Sequence, residues 1–229
     1  MIIKKYKAKV EKIENEIEGV YTLTFTCNDR KFRYSPGQFL HIAIDNDYDG
    51  SGQWPESRCF SMQTSPEDEY LKITYAVKGD FTKKMEKELK VGSEIWLKMP
   101  YGELFELEHS KEKTIFISGG TGITPYLSLF TDSSFSDYVN PVLYAGFRNV
   151  EFNIYKDDLV KASVINPGLI VNNVYEDRDG ILNIDKIYNE NDQYSSYFIS
   201  GPPVMIKLFK QKLLAYNVSD QNILTDEWE

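Results

Sequence analysis

The chain has 229 residues, 41% apolar and 27% charged, an ordinary globular balance that excludes disorder and leaves room for two modest domains. A net charge of −9 disfavours nonspecific binding to nucleic acid or to an anionic membrane. Two cysteines, Cys27 and Cys59, and two histidines, His41 and His109, exclude a Cys-rich metal or iron–sulfur site made by this chain alone, and argue against a disulfide framework.

The start, MIIKKYKAKV, lacks the apolar stretch of a signal peptide, and no run approaches the ~20 apolar residues of a membrane span. A cytoplasmic, soluble protein without a bound metal is the expectation. The lysine clusters Lys4, Lys5, Lys7, Lys9 and Lys83, Lys84, Lys87, Lys90 read as solvated faces.

Short strands come first. VYTLTFT (20–26) alternates, and QFLHIAI (38–44) follows the turn signal Ser35-Pro36-Gly37. RCFSMQT (58–64), YLKITYAV (70–77) and SEIWLKM (93–99) continue the pattern, which predicts a sandwich or barrel. One helix interrupts, from Thr82 to Lys90, with Thr82 as its N-cap. After the polar stretch HSKEK (109–113) the texture changes, so the domains are expected at 1–110 and 111–229. TIFIS (114–118), PVLYAGF (141–147), LIVNNVY (169–175) and YFIS (197–200) then alternate with helical stretches. These begin at Pro125, run up to Ala162, and follow Gly201-Pro202-Pro203, where Met205, Phe209 and Leu213 recur at helical spacing. Strand–helix alternation predicts βαβ units and a parallel sheet.

Three stretches carry candidate chemistry. The loop Gly119-Gly120-Thr121-Gly122 lies between a strand and a helix opened by Pro125, where free N–H groups and the helix dipole favour phosphate. Only half of the G-x-G-x-x-G spacing is met, and no Lys-Ser/Thr follows, so a P-loop is excluded. A tight turn without a ligand stays open. Gly201-Pro202-Pro203 also follows a strand, and in a parallel sheet both loops fall at carboxyl ends, as two walls of a cleft. In RCFS (58–61), Arg58 needs an anion, either a ligand phosphate or Glu56. Alternation puts Arg58 and Phe60 on one face and Ser61 on the other, so a site using all three needs a twisted or ending strand. Gly79-Asp80-Phe81-Thr82 offers a second helix N-terminus, or only an ordinary cap.

Taken in order, Pro36-Gly37-Gln38-Phe39, Arg58-Cys59-Phe60-Ser61, Gly79 to Thr82, Pro100-Tyr101-Gly102, Gly119 to Pro125 and Gly201 to Met205 make the chain resemble the ferredoxin–NADP reductase family of flavoproteins over nearly its whole length. The resemblance implies an antiparallel β-barrel flavin domain followed by an α/β parallel-sheet nucleotide-binding domain. It implies FAD, with FMN the lesser option, and NADH or NADPH as co-substrate. By that resemblance Arg58 holds the pyrophosphate, Phe60 packs at the flavin with Met62 beside it, and Ser61 faces the reactive nitrogen. Tyr75 and Val77 line the flavin through strand backbone, and Gly79, Asp80, Phe81 and Thr82 cap the pyrophosphate. Gly120, Thr121, Gly122, Gly201, Pro202 and Met205 meet the nicotinamide nucleotide. Ser61, Ser200 and Glu227 are the expected catalytic positions, with Asp226 as an alternative to Glu227.

The chain departs from the family in having Ser200 where a Cys is common, and in ending ILTDEWE. Trp228 is assigned either to the flavin, to the adenine or to the edge of the core. Arg148 suits a 2′-phosphate, whereas Glu176 and Asp177 repel one, which leans to NADH. The implied activity passes electrons from NAD(P)H through FAD to a separate acceptor: a ferredoxin- or flavodoxin-type protein, an oxygenase partner or a small molecule. The alternatives are a catalytically weak flavin- and nucleotide-binding subunit or sensor, and a flavin-free binding protein. The oligomeric state is left open.

Overall fold

The computed structural model describes residues 2–27 and 30–226. The first half builds one antiparallel sheet from β1 (Lys4–Ile17), β2 (Val20–Thr26), β3 (Phe39–Ala43), β4 (Ser57–Ser61), β5 (Leu71–Ala76) and, after helix α1 (Asp80–Glu88), β6 (Glu94–Tyr101). Their spatial order is β4-β3-β6-β1-β2-β5. The sheet curls until its two edges meet at Phe60 and Tyr75, whose ring centroids are 5.9 Å apart. It is barrel-like and not closed by strand pairing.

Strand β1 escaped the sequence reading because its outward residues are lysines, yet Tyr6, Ala8 and Val10 alternate inward and are buried. Lys7 and Lys9 pair with Glu94 and Glu11 at the surface, as expected of a solvated face. Lys5 departs from it: its ammonium donates to the Tyr48 hydroxyl and to Gly50 O.

Helix α1 begins at Asp80, two residues earlier than predicted. Thr82 is not its N-cap. Gly79 caps it with extended backbone, and the Thr82 hydroxyl reaches back to accept from Gly79 N at 3.1 Å and Lys78 N at 3.0 Å. Phe81 and Met85 face the core and leave Lys83, Lys84 and Lys87 in solvent.

The second half alternates as expected. β7 (Thr114–Gly119), a 3-10 turn (Gly120–Ile123) and α2 (Thr124–Phe130) are followed by β8 (Val142–Phe147), α3 (Lys156–Ile165) and β9 (Ile170–Tyr175). Then come α4 (Glu176–Asp179), α5 (Ile184–Glu190), β10 (Ser196–Ser200), α6 (Pro203–Ala215) and β11 (Ile223–Thr225). The five strands are parallel in the order β11-β10-β7-β8-β9. Residues of α2 and α3 pack on one face around Phe116 and Phe198, those of α5 and α6 on the other around Ile117 and Ile199. Short α5 and β11 were not foreseen. The signal for α5 was Asn183, whose side chain accepts from the N–H groups of Asp185 and Lys186. On α6 the buried stripe is Ile206, Phe209 and Leu213, so Met205 is only partly covered.

Polar pins join the two sheets. Gly37 N donates to Ser128 Oγ at 2.7 Å, Ser65 Oγ to Asp132 Oδ2 at 2.9 Å and Gln63 Nε2 to Asp158 Oδ2 at 3.0 Å. Gly37 has a φ of +77°, and a Cβ there would meet the Phe105 ring at 2.5 Å, so this turn needs glycine twice over.

Candidate functional site

A cavity of ≈ 870 Å³ runs between the open side of the barrel-like sheet and the carboxyl ends of the parallel strands. Its place follows from topology. After β7 the chain builds β8 and β9 to one side, then returns to place β10 and β11 on the other. The strand order therefore reverses between β7 and β10, and a crevice opens at that switch point.

The glycine loop follows β7 and Gly201-Pro202 follows β10, so the two loops meet there. They touch backbone to backbone: a Cβ on Gly122 would lie 2.6 Å from the Gly201 nitrogen and from Ser200 O. Gly120 takes a φ of +57° and meets nothing within 4 Å, which leaves open space over the loop. Gly120, Thr121, Gly122, Ser200, Gly201, Pro202 and Met205 all line the cavity.

The barrel wall is mostly apolar and aromatic, with the hydroxyls of Ser61 and Tyr75 among its polar groups. Phe60, Ser61, Tyr75 and Val77 line it. Cys59, Phe60 and Ser61, the last three residues of the edge strand β4, all line the cavity, so both faces of the strand reach it there, whereas Arg58 does not. The Ser61 hydroxyl makes no hydrogen bond to the described residues. On β5, Val77 N donates to Gly19 O and Lys72 O accepts from Gln63 N. In the antiparallel alternation, the backbone groups turned away from β2 are then those of Thr74 and Ala76, rather than those of Tyr75 and Val77.

Several expected flavin contacts lie off the cavity. Met62 is fully buried in the core of the first sheet. Arg58 is half-exposed, with its guanidinium 3.3 Å from Glu56 and 5.4 Å from the centre of the Phe81 ring. That places it beside Gly79, Asp80, Phe81 and Thr82 at the start of α1, so a cation and a helix N-terminus sit together. Glu227 and Trp228 lie outside the described residues.

The carboxylate the structure does bring in is Asp226. It is buried, its N–H donates to Ile199 O at 3.0 Å, and it lines the cavity. Ser200 Oγ donates to Asp226 Oδ2 at 3.0 Å. Burial pushes the Asp226 carboxyl from an ordinary 3.8 up to about 7, while the Ser200 hydrogen bond pulls weakly the other way. Ser118 pairs in register with Ser200, Ala145 with Ser118 and Asn173 with Ala145. This polar row leaves Ser118 Oγ and Asn173 Oδ1 buried and without a partner among the described residues. Sequence reading passed over Ser118 and Asn173 because only the strand register aligns them.

Beyond the cavity, Asp45, Asp47, Asp49, Gly50 and Glu56 follow the spacing of a calcium loop. The side chains do not gather. Asp45 Oδ1 accepts from Asp47 N, Asp49 Oδ1 from Ser51, and Glu56 turns to Arg58. Among the described residues no group of three His, Cys, Asp or Glu side chains is placed to hold a metal ion.

A curled antiparallel sheet and a parallel nucleotide-type sheet, with a cleft at the switch point, make a two-domain fold of the flavin- and nicotinamide-nucleotide-binding type. The comparisons agree. A family model described as an FAD-binding domain matches residues 3–125, and the chain belongs to this family of ferredoxin–NADP reductase-like flavoproteins. Methane monooxygenase component C of Methylosinus trichosporium is 31% identical over 156 residues, 67% of this chain and 44% of that protein. A probable dihydroorotate dehydrogenase B electron transfer subunit of Methanopyrus kandleri is 31% identical over 120 residues, 52% of this chain and 41% of that protein. The chain spans about half the length of the curated relatives it matches. Among solved structures, a ferredoxin NADP+ reductase from Neisseria gonorrhoeae with bound FAD and NADP superposes with a TM-score of 0.79 at 17% identity, over 98% of both chains. An Amycolatopsis cytochrome P450 reductase gives 0.82 at 16% identity, over 98% of this chain and 70% of that one. These two show the fold.

The residues present fit FAD. An aromatic wall of Phe60 and Tyr75 with the Ser61 hydroxyl, edge backbone groups on β5, and a cation beside a helix N-terminus suit the isoalloxazine, its polar edge and the pyrophosphate in turn.

Proposed function

We propose that the chain is an NAD(P)H-dependent flavoprotein reductase that passes electrons through FAD to a separate acceptor. The observation that carries this is the facing of two walls across one cleft: Phe60, Ser61 and Tyr75 on one side, the paired loops after β7 and β10 on the other. Bound FAD supplies the exchange between two-electron and one-electron chemistry. The chain supplies placement. Arg58 and the first turn of α1 anchor the pyrophosphate, Phe60 and Tyr75 pack against the ring system, and Ser61 offers a hydroxyl at its edge. The glycine loop and Gly201-Pro202 let a dinucleotide backbone approach closely and exclude water behind it. Asp226, its buried carboxyl raised to about 7, is able to take up or release a proton near neutral pH, and Ser200 Oγ donates to it at the cleft.

For the acceptor, Lys78 lines the cavity beside Glu18, and on α1 the exposed Lys83, Lys84 and Lys87 are balanced by the exposed Asp80, Glu86 and Glu88, so the charge there favours no acidic acceptor protein over a small molecule. Cys27 and Cys59 are free thiols, which supports a reducing compartment such as the cytoplasm. Among the described residues no helix is long and apolar enough to cross a membrane. We place the domain boundary at residues 110–111, within the polar stretch between β6 and β7.

The test is an anaerobic titration of the FAD-loaded protein with NADH and with NADPH, followed by flavin absorbance. Bleaching by one nucleotide at low concentration is expected. A protein that holds FAD and bleaches with neither is instead a binding or sensor subunit, a reading favoured only by Ser200 being committed to Asp226.

A further inference from the structure

We propose that Gln63 is a positioning residue for hydride transfer: it joins the two free edges of the first sheet to helix α3 on the second, and so sets how closely the two walls of the cleft face each other. This rests on the reductase reading, since it concerns the same cleft.

The first sheet has its edges at β4 and β5, and no strand pairing closes it there. Gln63 lies two residues beyond β4 and is buried. Its backbone N–H donates to Lys72 O on β5 at 2.9 Å. Its side-chain oxygen accepts from Thr74 Oγ1 at 2.6 Å, and its Nε2 donates to Asp158 Oδ2 on α3 at 3.0 Å. The direction of these bonds is forced. A carboxylate only accepts, so the amide turns its NH2 to Asp158 and its oxygen to Thr74. Thr74 then has no proton left for Thr22 Oγ1, 2.8 Å away, and accepts from it.

This joint stands directly behind the cleft. Phe60 and Ser61 precede Gln63 in the chain, and Tyr75 follows Thr74. Thr74 itself and Tyr155, the residue before α3, line the cavity, whereas Gln63 and Asp158 do not. Gln63 therefore acts through the residues that face the ligands. The pin between Ser65 and Asp132 also joins the two sheets, and neither of its residues lines the cavity. Hydride transfer tolerates little looseness, since a misplacement of ~1 Å can cost about 10²-fold in rate.

Anaerobic stopped-flow reduction of the FAD-loaded chain by NADH and by NADPH tests this. Asp158→Ala, which releases Gln63 Nε2 and leaves β4 bonded to β5, should slow flavin reduction at saturating nucleotide about tenfold. Its FAD content and half-saturating nucleotide concentration should match the wild type. Asp158→Asn, whose amide oxygen still accepts from Nε2, should restore the rate. Ser65→Ala should lower the melting temperature and leave the rate unchanged. Apart from turnover, amide hydrogen exchange in the flavin-free protein should quicken in Asp158→Ala at residues 72–75 as well as in α3. Reduction of Asp158→Ala at the wild-type rate, no rescue by Asp158→Asn, or equal slowing in Ser65→Ala overturns the inference and leaves the reductase reading standing. So does unchanged exchange at residues 72–75, or a change confined to half-saturation. A wild type that neither nucleotide reduces overturns the reductase reading, and the inference with it.

Discussion

Replacing Asp226 by Asn should stabilise the protein at alkaline pH and do little in acid. The Asp226 carboxyl lies buried against Ser200, and its pKa rises from 3.8 in the open chain to about 7 when folded. A carboxyl raised in this way binds its proton more tightly when folded. Its favourable share is therefore fully present below pH ~4 and is lost as pH climbs towards 7. At 1.36 kcal/mol per pH unit, that interval amounts to an upper limit of ~4 kcal/mol above pH 7. Asn keeps the shape and can still accept from Ser200 Oγ, and it has no charge to bury. For a chain of this length ~4 kcal/mol corresponds to about 8–16 °C in Tm, and relaxation of the site will reduce it. Paired thermal melts of wild type and Asp226→Asn at pH 4.5 and pH 8.5 measure the gap. It should open in favour of Asn as pH rises. A Tm difference that stays constant across that range would refute a buried, proton-holding carboxyl.

Arg58→Ala should weaken FAD retention about 10- to 100-fold, the worth of a charge-assisted bond to phosphate. Glu56→Ala, which frees the guanidinium now 3.3 Å away, should not weaken it. Gel filtration followed by flavin absorbance reads both, and full flavin content in Arg58→Ala removes its role. Gly122→Ala places a Cβ 2.6 Å from Gly201 backbone and must push the two loops apart. A loss of about 1–3 kcal/mol, several degrees in Tm, is expected together with weaker NADH binding, while FAD stays bound. Gly120→Ala meets no atom within 4 Å and has only its positive φ to bear, so it should melt closer to wild type. Equal melting of Gly122→Ala and wild type would contradict the close packing of the loops.

Much of the architecture was legible because local chemistry and tertiary structure agree. Alternating strands such as VYTLTFT gave β2 to the residue, and the buried runs TIFIS and YFIS gave β7 and β10 within a residue. The two glycine-bearing turns were readable because glycine and proline punctuate a chain wherever they stand. β1 was missed because lysines with long apolar stems alternate with its core residues and mask a strand as a charged cluster.

What sequence alone determined is the order of most elements, the change from period two to helical spacing, and the residues able to meet a phosphate. Those depend on neighbours a few positions apart. Only the tertiary structure decided which of them converge. Strand order at β7 and β10 sets the two glycine loops against each other. The edge position of β4 brings Cys59, Phe60 and Ser61 together to the cleft. Burial just after β11, a strand of three residues, raises the pKa of Asp226 and sets it against Ser200. Proximity across strands and removal from water are properties of the folded chain, and no local pattern encodes them.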